Sequence, residues 1–226
     1  MRKILVMTAA ALLAHSALAS PMYVVRGWFN GWGGGGDLVM TDMGGGLWSA
    51  TATGLAPGQA TEFKCTTPDW SFNAPASNAK IVANAAGEIT FRFYPATSWT
   101  DGWYPNNWAR VGYEDPGQFG WEIMGSFNGW SAPILTLSNL GGGLYAGDVF
   151  LNAGLYEFKF RKIGDWGISV GSDFGNSAAN ATLNVASNGD LIRFELDLPR
   201  GRWRTFLVPE PATAVLLALG LLLRRR

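Results

Sequence analysis

The sequence predicts an all-β protein made of two small β-sandwich domains in tandem. Short runs of β-branched and aromatic residues alternate with glycine- and asparagine-rich turns, and no stretch with a helical period occurs between the two apolar ends of the chain. The segments RGWFNGW (Arg26–Trp32) and MGSFNGW (Met124–Trp130) share five of seven residues. Later motifs repeat in the same order at separations of 95 to 102 residues, which indicates one module used twice.

The first copy, residues 20–112, is predicted from turn signals and local alternation. Its FNGW turn follows the β-branched and aromatic run Tyr23–Val25, which is typical of a strand. In Glu62–Cys65 charged and apolar residues alternate with the period of a strand, so the two charged side chains are expected to face solvent. The same alternation in Ile89–Tyr94 predicts three inward side chains, Ile89, Phe91 and Phe93.

The second copy, residues 121–207, repeats this path. Asp165-Trp166 corresponds to Asp69-Trp70, and both pairs are predicted to lie in loops. The segment NATLNVASNGD (Asn180–Asp190) matches NAKIVANAAGE (Asn78–Glu88) without a gap. Each match therefore predicts a strand and a turn at the same place in the two copies.

A short linker is predicted between the copies, at residues 113–120. Asp115-Pro116-Gly117 is its break, because proline and glycine interrupt regular structure. A linker of this length is expected to keep the two domains in contact or in a restricted relative orientation.

The N-terminus has the features of a secretory signal peptide. The basic Arg2-Lys3, the apolar Ile4–Ala14 and the small-residue pattern Ala17–Ala19 predict that residues 1–19 direct export and are removed by signal peptidase. The only histidine, His15, lies within this segment. The mature chain is therefore expected to contain no histidine.

The C-terminus, residues 208–226, has a three-part pattern. The motif Pro209, Glu210, Pro211 precedes the apolar run Ala212–Leu223, and the chain ends on Arg224–Arg226. The apolar run is short for a membrane span, which needs about 20 residues, and terminal arginines favour the cytoplasmic side. The pattern resembles the PEP-CTERM sorting tails of exported proteins in Gram-negative-type bacteria. That resemblance implies transient inner-membrane association, processing by an exosortase, and delivery to the cell surface or extracellular matrix. An ordinary tail anchor is the alternative.

Composition excludes several classes of function. A mature chain cut after Pro211 keeps 12 of the 17 basic residues against 17 acidic ones, a net charge of −5 without a basic cluster, so no nucleic acid partner is expected. The absence of histidine excludes a Ser-His-Asp triad and the common zinc sites. Cys65 has no disulfide partner and is predicted to be a small buried side chain. No carboxylate pair stands out for glycoside hydrolysis, so no catalytic residue, metal or cofactor is expected.

The ordered set FNGW, GLW or GLY, E-F-K, D-W and an asparagine-containing strand occurs twice, over residues 22–112 and 121–207. It resembles the starch- and glycogen-binding type of carbohydrate-binding module. The resemblance implies two tandem immunoglobulin-like β-sandwich domains, between the N-terminal signal peptide and the C-terminal hydrophobic sorting tail. It also implies a non-catalytic role, the binding of α-glucan or exopolysaccharide on a platform of two tryptophans with a lysine and an asparagine at its edge.

Matched position by position, the resemblance implies four sugar-binding residues in each copy. They are Trp32, Lys64, Trp70 and Asn78 in the first copy and Trp130, Lys159, Trp166 and Asn180 in the second. The chemistry is consistent, because the C–H face of a pyranose covers an indole while its hydroxyls need charged or amide partners. Structural alternatives remain: the FNGW tryptophans could close the end of each sandwich, and the lysines could be solvated charges paired with Glu62 and Glu157.

A further aromatic cluster lies near the end of the first copy. It contains Trp99, Trp103, Tyr104 and Trp108, with Asp101, Asn106 and Asn107 between them. Two interpretations are open: an extra sugar platform, or a closing strand whose tryptophans fill the contact between the domains. Only Trp203 corresponds to it in the second copy.

Two functions from different classes remain. The first is a non-catalytic surface or matrix protein that binds polysaccharide. The alternative is a structural or adhesive matrix protein that uses the sandwiches as spacers without binding sugar. Exposed indoles at Trp70 and Trp166 would favour the first function, and buried indoles would favour the second.

Overall fold

The computed structural model describes residues 22–131 and 135–209. The predicted signal peptide and residues 210–226 of the predicted tail, with Glu210 and Pro211, lie outside the described residues, while Pro209 is exposed at their end. The described residues form seventeen strands and two 3-10 turns, so the prediction of an all-β chain is confirmed. In this described part, no helix is long and apolar enough to cross a membrane.

The strands of residues 24–113 are β1 (Val24–Gly27), β2 (Leu38–Val39), β3 (Thr41–Asp42), β4 (Trp48–Ala52), β5 (Ala60–Thr66), β6 (Asn73–Val82), β7 (Ile89–Tyr94) and β8 (Arg110–Tyr113). Those of residues 121–207 are β9 (Trp121–Gly125), β10 (Leu135–Thr136), β11 (Ser138–Asn139), β12 (Leu144–Leu151), β13 (Gly154–Lys162), β14 (Asp165–Val170), β15 (Ala181–Val185), β16 (Asp190–Asp197) and β17 (Arg202–Leu207). The first 3-10 turn, Trp28–Gly33, contains the first FNGW motif, and the second, Ser126–Asn128, contains the first two residues of the other. Below, the first half means residues 24–113 and the second half means residues 121–207.

The strands form four antiparallel sheets, two in each half. In the first half the strand orders are β2-β1-β5-β6 and β3-β4-β7-β8. In the second half they are β10-β9-β13-β14, with β15 also paired to β13, and β11-β12-β16-β17. The central pair β1–β5 thus has its counterpart in β9–β13, and β4–β7 has its counterpart in β12–β16.

The strand register supports the gapless match of the two asparagine-containing segments. Phe63 of β5 lies opposite Ala79 of β6. Phe158 of β13 lies opposite Ala181 of β15 in the same way. Because each phenylalanine is the middle residue of an E-F-K motif, the same motif meets the same neighbour in both halves.

Aromatic side chains join the two sheets within each half. Phe63 of one sheet and Phe91 of the other have ring centroids 4.6 Å apart. In the second half, Phe158 and Phe194 make the corresponding contact at 5.1 Å. All four rings are fully buried, and such pairs contribute about 0.5–1.5 kcal/mol each beyond the area they bury. Cys65 lies in the same core, as predicted, and burial raises the pKa of its thiol.

The segment between the halves is bonded to both of them. Strand β8 ends at Tyr113, the first residue of the predicted linker. The side-chain amide of Gln118 donates to the backbone oxygen of Ala83 at 3.1 Å. The hydroxyl of Tyr145 donates to Asp115 at 2.6 Å. The linker is therefore held on each side by a side-chain hydrogen bond.

The two halves meet along an extensive contact, which we call the seam. Tyr104 and Trp203 exchange two backbone hydrogen bonds of 2.7 and 2.8 Å, and their rings stack at 4.8 Å. The backbone N–H of Ser77 donates to Asp173 at 2.7 Å. Arg202 donates to Asp101 at 3.0 Å. These bonds connect the aromatic cluster of residues 99–108 to strand β17, and strand β6 to the loop after β14, which fixes how the halves lie relative to each other.

Candidate functional site

Two tryptophans of the second half lie side by side. Trp130 and Trp166 have ring centroids 6.0 Å apart, with ring planes inclined by 47°. Trp166 is 43% exposed, and Trp130 is partly exposed. The guanidinium carbon of Arg161 lies 4.4 Å from the centre of a Trp166 ring. We call Trp130 and Trp166 the tryptophan pair; it combines accessible indole surface with a supporting cation.

Sheet order explains why these two side chains meet. Trp130 follows the turn at the end of β9, and Trp166 lies near the start of β14. Strand β13, which carries Arg161, pairs with both of these strands. The prediction that Trp166 lies in a loop is wrong. The hairpin from β13 turns tightly at Ile163-Gly164 and β14 begins at Asp165, so Trp166 lies in a strand.

The FNGW turn sets the direction of Trp130. Gly129 and Trp130 both have left-handed backbones, with φ of 60° and 59°. The side-chain oxygen of Asn128 accepts the backbone N–H of Gly125 at 3.0 Å, and the N–H of Trp130 donates to the Gly125 oxygen at 2.9 Å. Two consecutive left-handed residues reverse the chain within one turn, so the indole emerges beside the strand that the turn has just left.

Arg161 is itself held by a buried carboxylate. Its Nε donates to Glu122 Oε1 at 2.5 Å, and the same oxygen accepts the backbone N–H of Gly164 at 3.0 Å. Glu122 is completely buried and Arg161 is 8% exposed. The cation beneath Trp166 is therefore neutralised and fixed in position.

In the first half an arginine also lies against an exposed tryptophan, Trp70, but that arginine comes from a different strand of the sheet. Trp70 is 40% exposed, with φ of 61°, and Arg26 of β1 lies 5.0 Å from its ring centre. Arg26 forms two hydrogen bonds with Asp37, of 2.5 and 2.7 Å, which lower the pKa of that carboxyl. Trp32 is partly exposed with φ of 57°, but no ring contact joins it to Trp70 in the described part of the chain.

Both aspartates of the D-W motifs brace the turn around their tryptophan. Asp69 accepts the backbone N–H of Ser71 at 3.1 Å, and hydrogen bonds from Thr67 and Ser71 lower its pKa to about 2. Asp165 accepts the N–H of Gly167 at 2.7 Å, which with Lys162 lowers the pKa of Asp165. Each motif thus places an ionised carboxylate beside an exposed indole.

The two predicted lysines lie in other surroundings. Burial lowers the pKa of both Lys64 and Lys159, and the carboxylate of Asp173 opposes this change in each case. The ammonium of Lys64 donates to the side-chain oxygen of Asn73 at 3.0 Å and to the backbone oxygens of Pro75 and Ala76 at 2.9 and 2.6 Å. The expectation that these lysines face solvent is met only in part, because both are partly buried and both interact electrostatically with Asp173 at the seam.

The predicted asparagines bind the glutamates of the E-F-K motifs. The amide of Asn78 donates to Glu62, and that of Asn180 donates to Glu157, each at 3.1 Å. Among the described residues, neither glutamate pairs with the lysine of its own motif; Glu62 instead lies 4.0 Å from Lys80. The contacts of the described chain therefore bring together the tryptophans of the second half but do not add the lysine and the asparagine to them.

The aromatic cluster near the end of the first copy divides between two roles. Trp103 is 7% exposed and lies under the guanidinium groups of Arg202 and Arg204, each 4.2 Å from a ring centre. Tyr104 and Trp108 remain 45% and 39% exposed. They line a cavity of about 460 Å³ between the halves, here called the seam cleft, whose other lining residues are Ala76, Pro105, Asn106, Asn107, Ser172, Asp173, Asn180, Ala181, Thr182 and Trp203.

Sequence reasoning missed Arg26 and Arg161. Arg26 follows two valines on its strand, and that contrast is the signal that could have found it, whereas Arg161 lies among other charged residues on its strand and has no such signal. Their different strand positions hid the shared role. In the described residues no group of three or more potential metal ligands occurs.

No protein-family model matches the chain, and no curated protein is significantly similar to it. Solved structures with detectable similarity include SusF from Bacteroides thetaiotaomicron, at 16% identity and a TM-score of 0.33 over 86% of this chain and 50% of that one. They also include a pullulanase from Bacillus acidopullulyticus, at 13% identity and a TM-score of 0.30 over 83% of this chain and 28% of that one. The chain thus spans half the length of the first protein and just over a quarter of the second, and both similarities are too distant to establish a family.

Proposed function

We propose that this protein is a non-catalytic glycan-binding protein that binds α-glucan or exopolysaccharide through exposed tryptophans. The tryptophan pair carries the proposal, because it offers two adjoining, partly exposed indoles 6.0 Å apart. Their apolar faces suit the C–H face of a pyranose ring, and adjoining rings suit adjoining sugars of a chain. Exposure of Trp70 and Trp166 at 40% and 43% favours binding over an inert spacer.

The surroundings of the pair supply polar partners for sugar hydroxyls. Lys162 and Asp165 form an ion pair at 3.1 Å directly before Trp166 in the chain, and both are partly exposed. Charged groups at the edge of an aromatic surface can form the stronger class of hydrogen bond with hydroxyls. Arg161 and Glu122 hold Trp166 from beneath, so the surface is largely formed before a ligand arrives, which lowers the entropic cost of binding.

The wider assignment has three parts. Two facing sheets in each half, joined by buried aromatics, support two tandem immunoglobulin-like sandwiches. The pattern of residues 1–19 supports export through signal peptidase. The tail pattern that begins at Pro209 supports exosortase sorting to the cell surface or matrix, after transient membrane association.

Affinity electrophoresis of the full chain, in gels with and without amylopectin or glycogen, tests the binding function. Wild type should be retarded, and Trp130→Ala/Trp166→Ala should lose at least tenfold in affinity, since truncated anchor residues cost about 2 kcal/mol or more. Trp28→Ala is the matched control, because Trp28 is 49% exposed but lies outside the pair. Trp70→Ala should weaken binding less, because no second ring adjoins Trp70 in the described residues.

Three results of this electrophoresis would contradict binding at the tryptophan pair. Unchanged retardation of the double variant would place the glycan elsewhere on the surface. Equal losses in the double variant and in Trp28→Ala would indicate a general effect of removing surface tryptophans. No retardation of wild type by any polysaccharide would favour the matrix spacer.

A further inference from the structure

We propose that the seam cleft is a second binding site, specific for a neutral pyranose chain and built by both halves of the protein. It shares no residue with the tryptophan pair and does not depend on the function proposed for that pair. Its volume of about 460 Å³ lies within the range of about 300–1,000 Å³ typical of small-ligand pockets. Pockets of this kind form preferentially where domains meet.

The aromatic wall of the cleft is fixed in place. Tyr104 stacks on the buried Trp203 at 4.8 Å with ring planes inclined by 21°, and two backbone hydrogen bonds hold the same residues together. The backbone oxygen of Trp108 accepts the indole N–H of Trp99 at 3.0 Å. Tyr104 and Trp108 nevertheless remain 45% and 39% exposed. The cleft thus presents two positioned aromatic surfaces whose accessible parts can receive the apolar face of a sugar.

Amide groups with spare hydrogen-bonding capacity lie beside these rings. The side-chain amides of Asn106 and Asn107 form no hydrogen bond with any other described residue, although both line the cavity. Asn180 uses its amide N–H toward Glu157, and its side-chain oxygen accepts no hydrogen bond from the described chain. An amide offers donors and an acceptor together, which matches the mixed character of sugar hydroxyls.

The charge of the cleft favours a neutral ligand. Asp173 is the only charged residue in the lining, and no lysine or arginine belongs to it. Its two oxygens accept the backbone N–H groups of Ser77 and Gly175, at 2.7 and 2.8 Å. Lys64 and Lys159 interact electrostatically with the same carboxylate. The cleft wall therefore offers an anionic sugar no cation to pair with and only a carboxylate that already has partners, so nothing in the lining favours an anionic over a neutral ligand.

The test is affinity electrophoresis of the full chain in gels containing amylopectin, pullulan or dextran, with alginate as the acidic polymer. Two cleft variants are compared with wild type, Trp108→Ala/Asn107→Ala and Asn106→Ala/Asn107→Ala. The second variant removes no internal hydrogen bond of the described chain, so it separates lost binding from lost folding. Each variant is also made in the Trp130→Ala/Trp166→Ala background.

We expect both cleft variants to raise the dissociation constant at least several-fold on a neutral polymer. The same loss should appear in the background without the tryptophan pair, and any retardation by alginate should be unchanged. The proposal is overturned if both cleft variants are retarded as strongly as wild type. It is also overturned if the loss of retardation is confined to alginate, or if the cleft variants cause no loss in the Trp130→Ala/Trp166→Ala background. Absence of wild-type retardation on all three neutral polymers would overturn it as well. If only the cleft variants lose binding, the proposed role of the tryptophan pair fails and the cleft remains.

Discussion

The exposed tryptophans depend on arginines that are themselves paired, and the two pairs differ in burial. Glu122 and Arg161 have side chains 0% and 10% exposed. Asp37 and Arg26 have side chains 25% and 11% exposed. A carboxylate in contact with solvent is screened, whereas a fully buried one leaves its partner without compensation when it is removed. The same local arrangement should therefore have different energetic weight in the two halves.

Glu122→Gln should destabilise the protein by about 3–5 kcal/mol, because it removes the negative charge that neutralises the buried guanidinium of Arg161. Asp37→Asn, the matched variant in the first half, should cost less, about 1–3 kcal/mol, because water reaches Asp37. Urea unfolding of both variants measures the difference. Equal losses would mean that burial does not separate the two ion pairs.

At the scale of elements, the FNGW turn explains the position of the first tryptophan in each half. Asn30 accepts the backbone N–H of Gly27 at 2.9 Å and donates to the backbone oxygens of Val25 and Gly36, each at 3.0 Å. Gly31 and Trp32 then adopt left-handed backbones, with φ of 57° at each. The left-handed conformation of a residue with a side chain costs about 1–2 kcal/mol, so the asparagine bonds must offset it.

Asn30→Ala should therefore destabilise the protein by about 2–3 kcal/mol, since three hydrogen bonds of about 1 kcal/mol each are lost. The asparagine control is Asn107→Ala, whose amide forms no hydrogen bond with the described residues, and it should change stability by less than about 0.5 kcal/mol. Thermal and urea unfolding report both values. A loss with Asn107→Ala as large as that with Asn30→Ala would contradict the role given to the turn.

Local patterns predicted the strands, and long-range contacts decided the rest. The alternation in Ile89–Tyr94 fixed the buried face correctly, because Ile89, Phe91 and Phe93 are 3% exposed or less. The same rule did not predict the surroundings of Lys64, whose ammonium is partly buried and donates to the backbone oxygens of Pro75 and Ala76 in its own half. The sequence predicts a loop at Trp166 because the pairing of β14 with β13 has no local signal. The arginine supports could not be aligned between copies, because they occupy different strands.

At the scale of the whole molecule, the seam requires glycine where the backbones of the halves approach. A Cβ on Gly112 would lie 2.5 Å from the backbone oxygens of Leu198 and Pro199 and 2.7 Å from the nitrogen of Gly201. A Cβ on Gly175 would lie 2.6 Å from that of Ser77. These approaches leave no room for a side chain at either position. The relative position of the halves is therefore part of the fold and not a property of the linker alone.

Gly112→Ala should loosen the seam without altering either core. The overpacking should lower the free energy of unfolding by about 1–3 kcal/mol. Since each kcal/mol lowers Tm by about 2–4 °C in a protein of this size, we expect Tm to fall by roughly 2–12 °C. Calorimetry should show one cooperative transition for wild type, and a lower or divided transition for the variant. Gly34→Ala is the control, because its Cβ would lie 3.3 Å from the nearest atom and within a single turn.

The same variant should also affect binding. The seam cleft needs both halves in register, whereas the tryptophan pair needs only the second half, so Gly112→Ala should weaken cleft-dependent retardation and leave retardation by the pair unchanged. Wild-type unfolding and wild-type cleft binding in Gly112→Ala would mean that the halves adjust to each other freely.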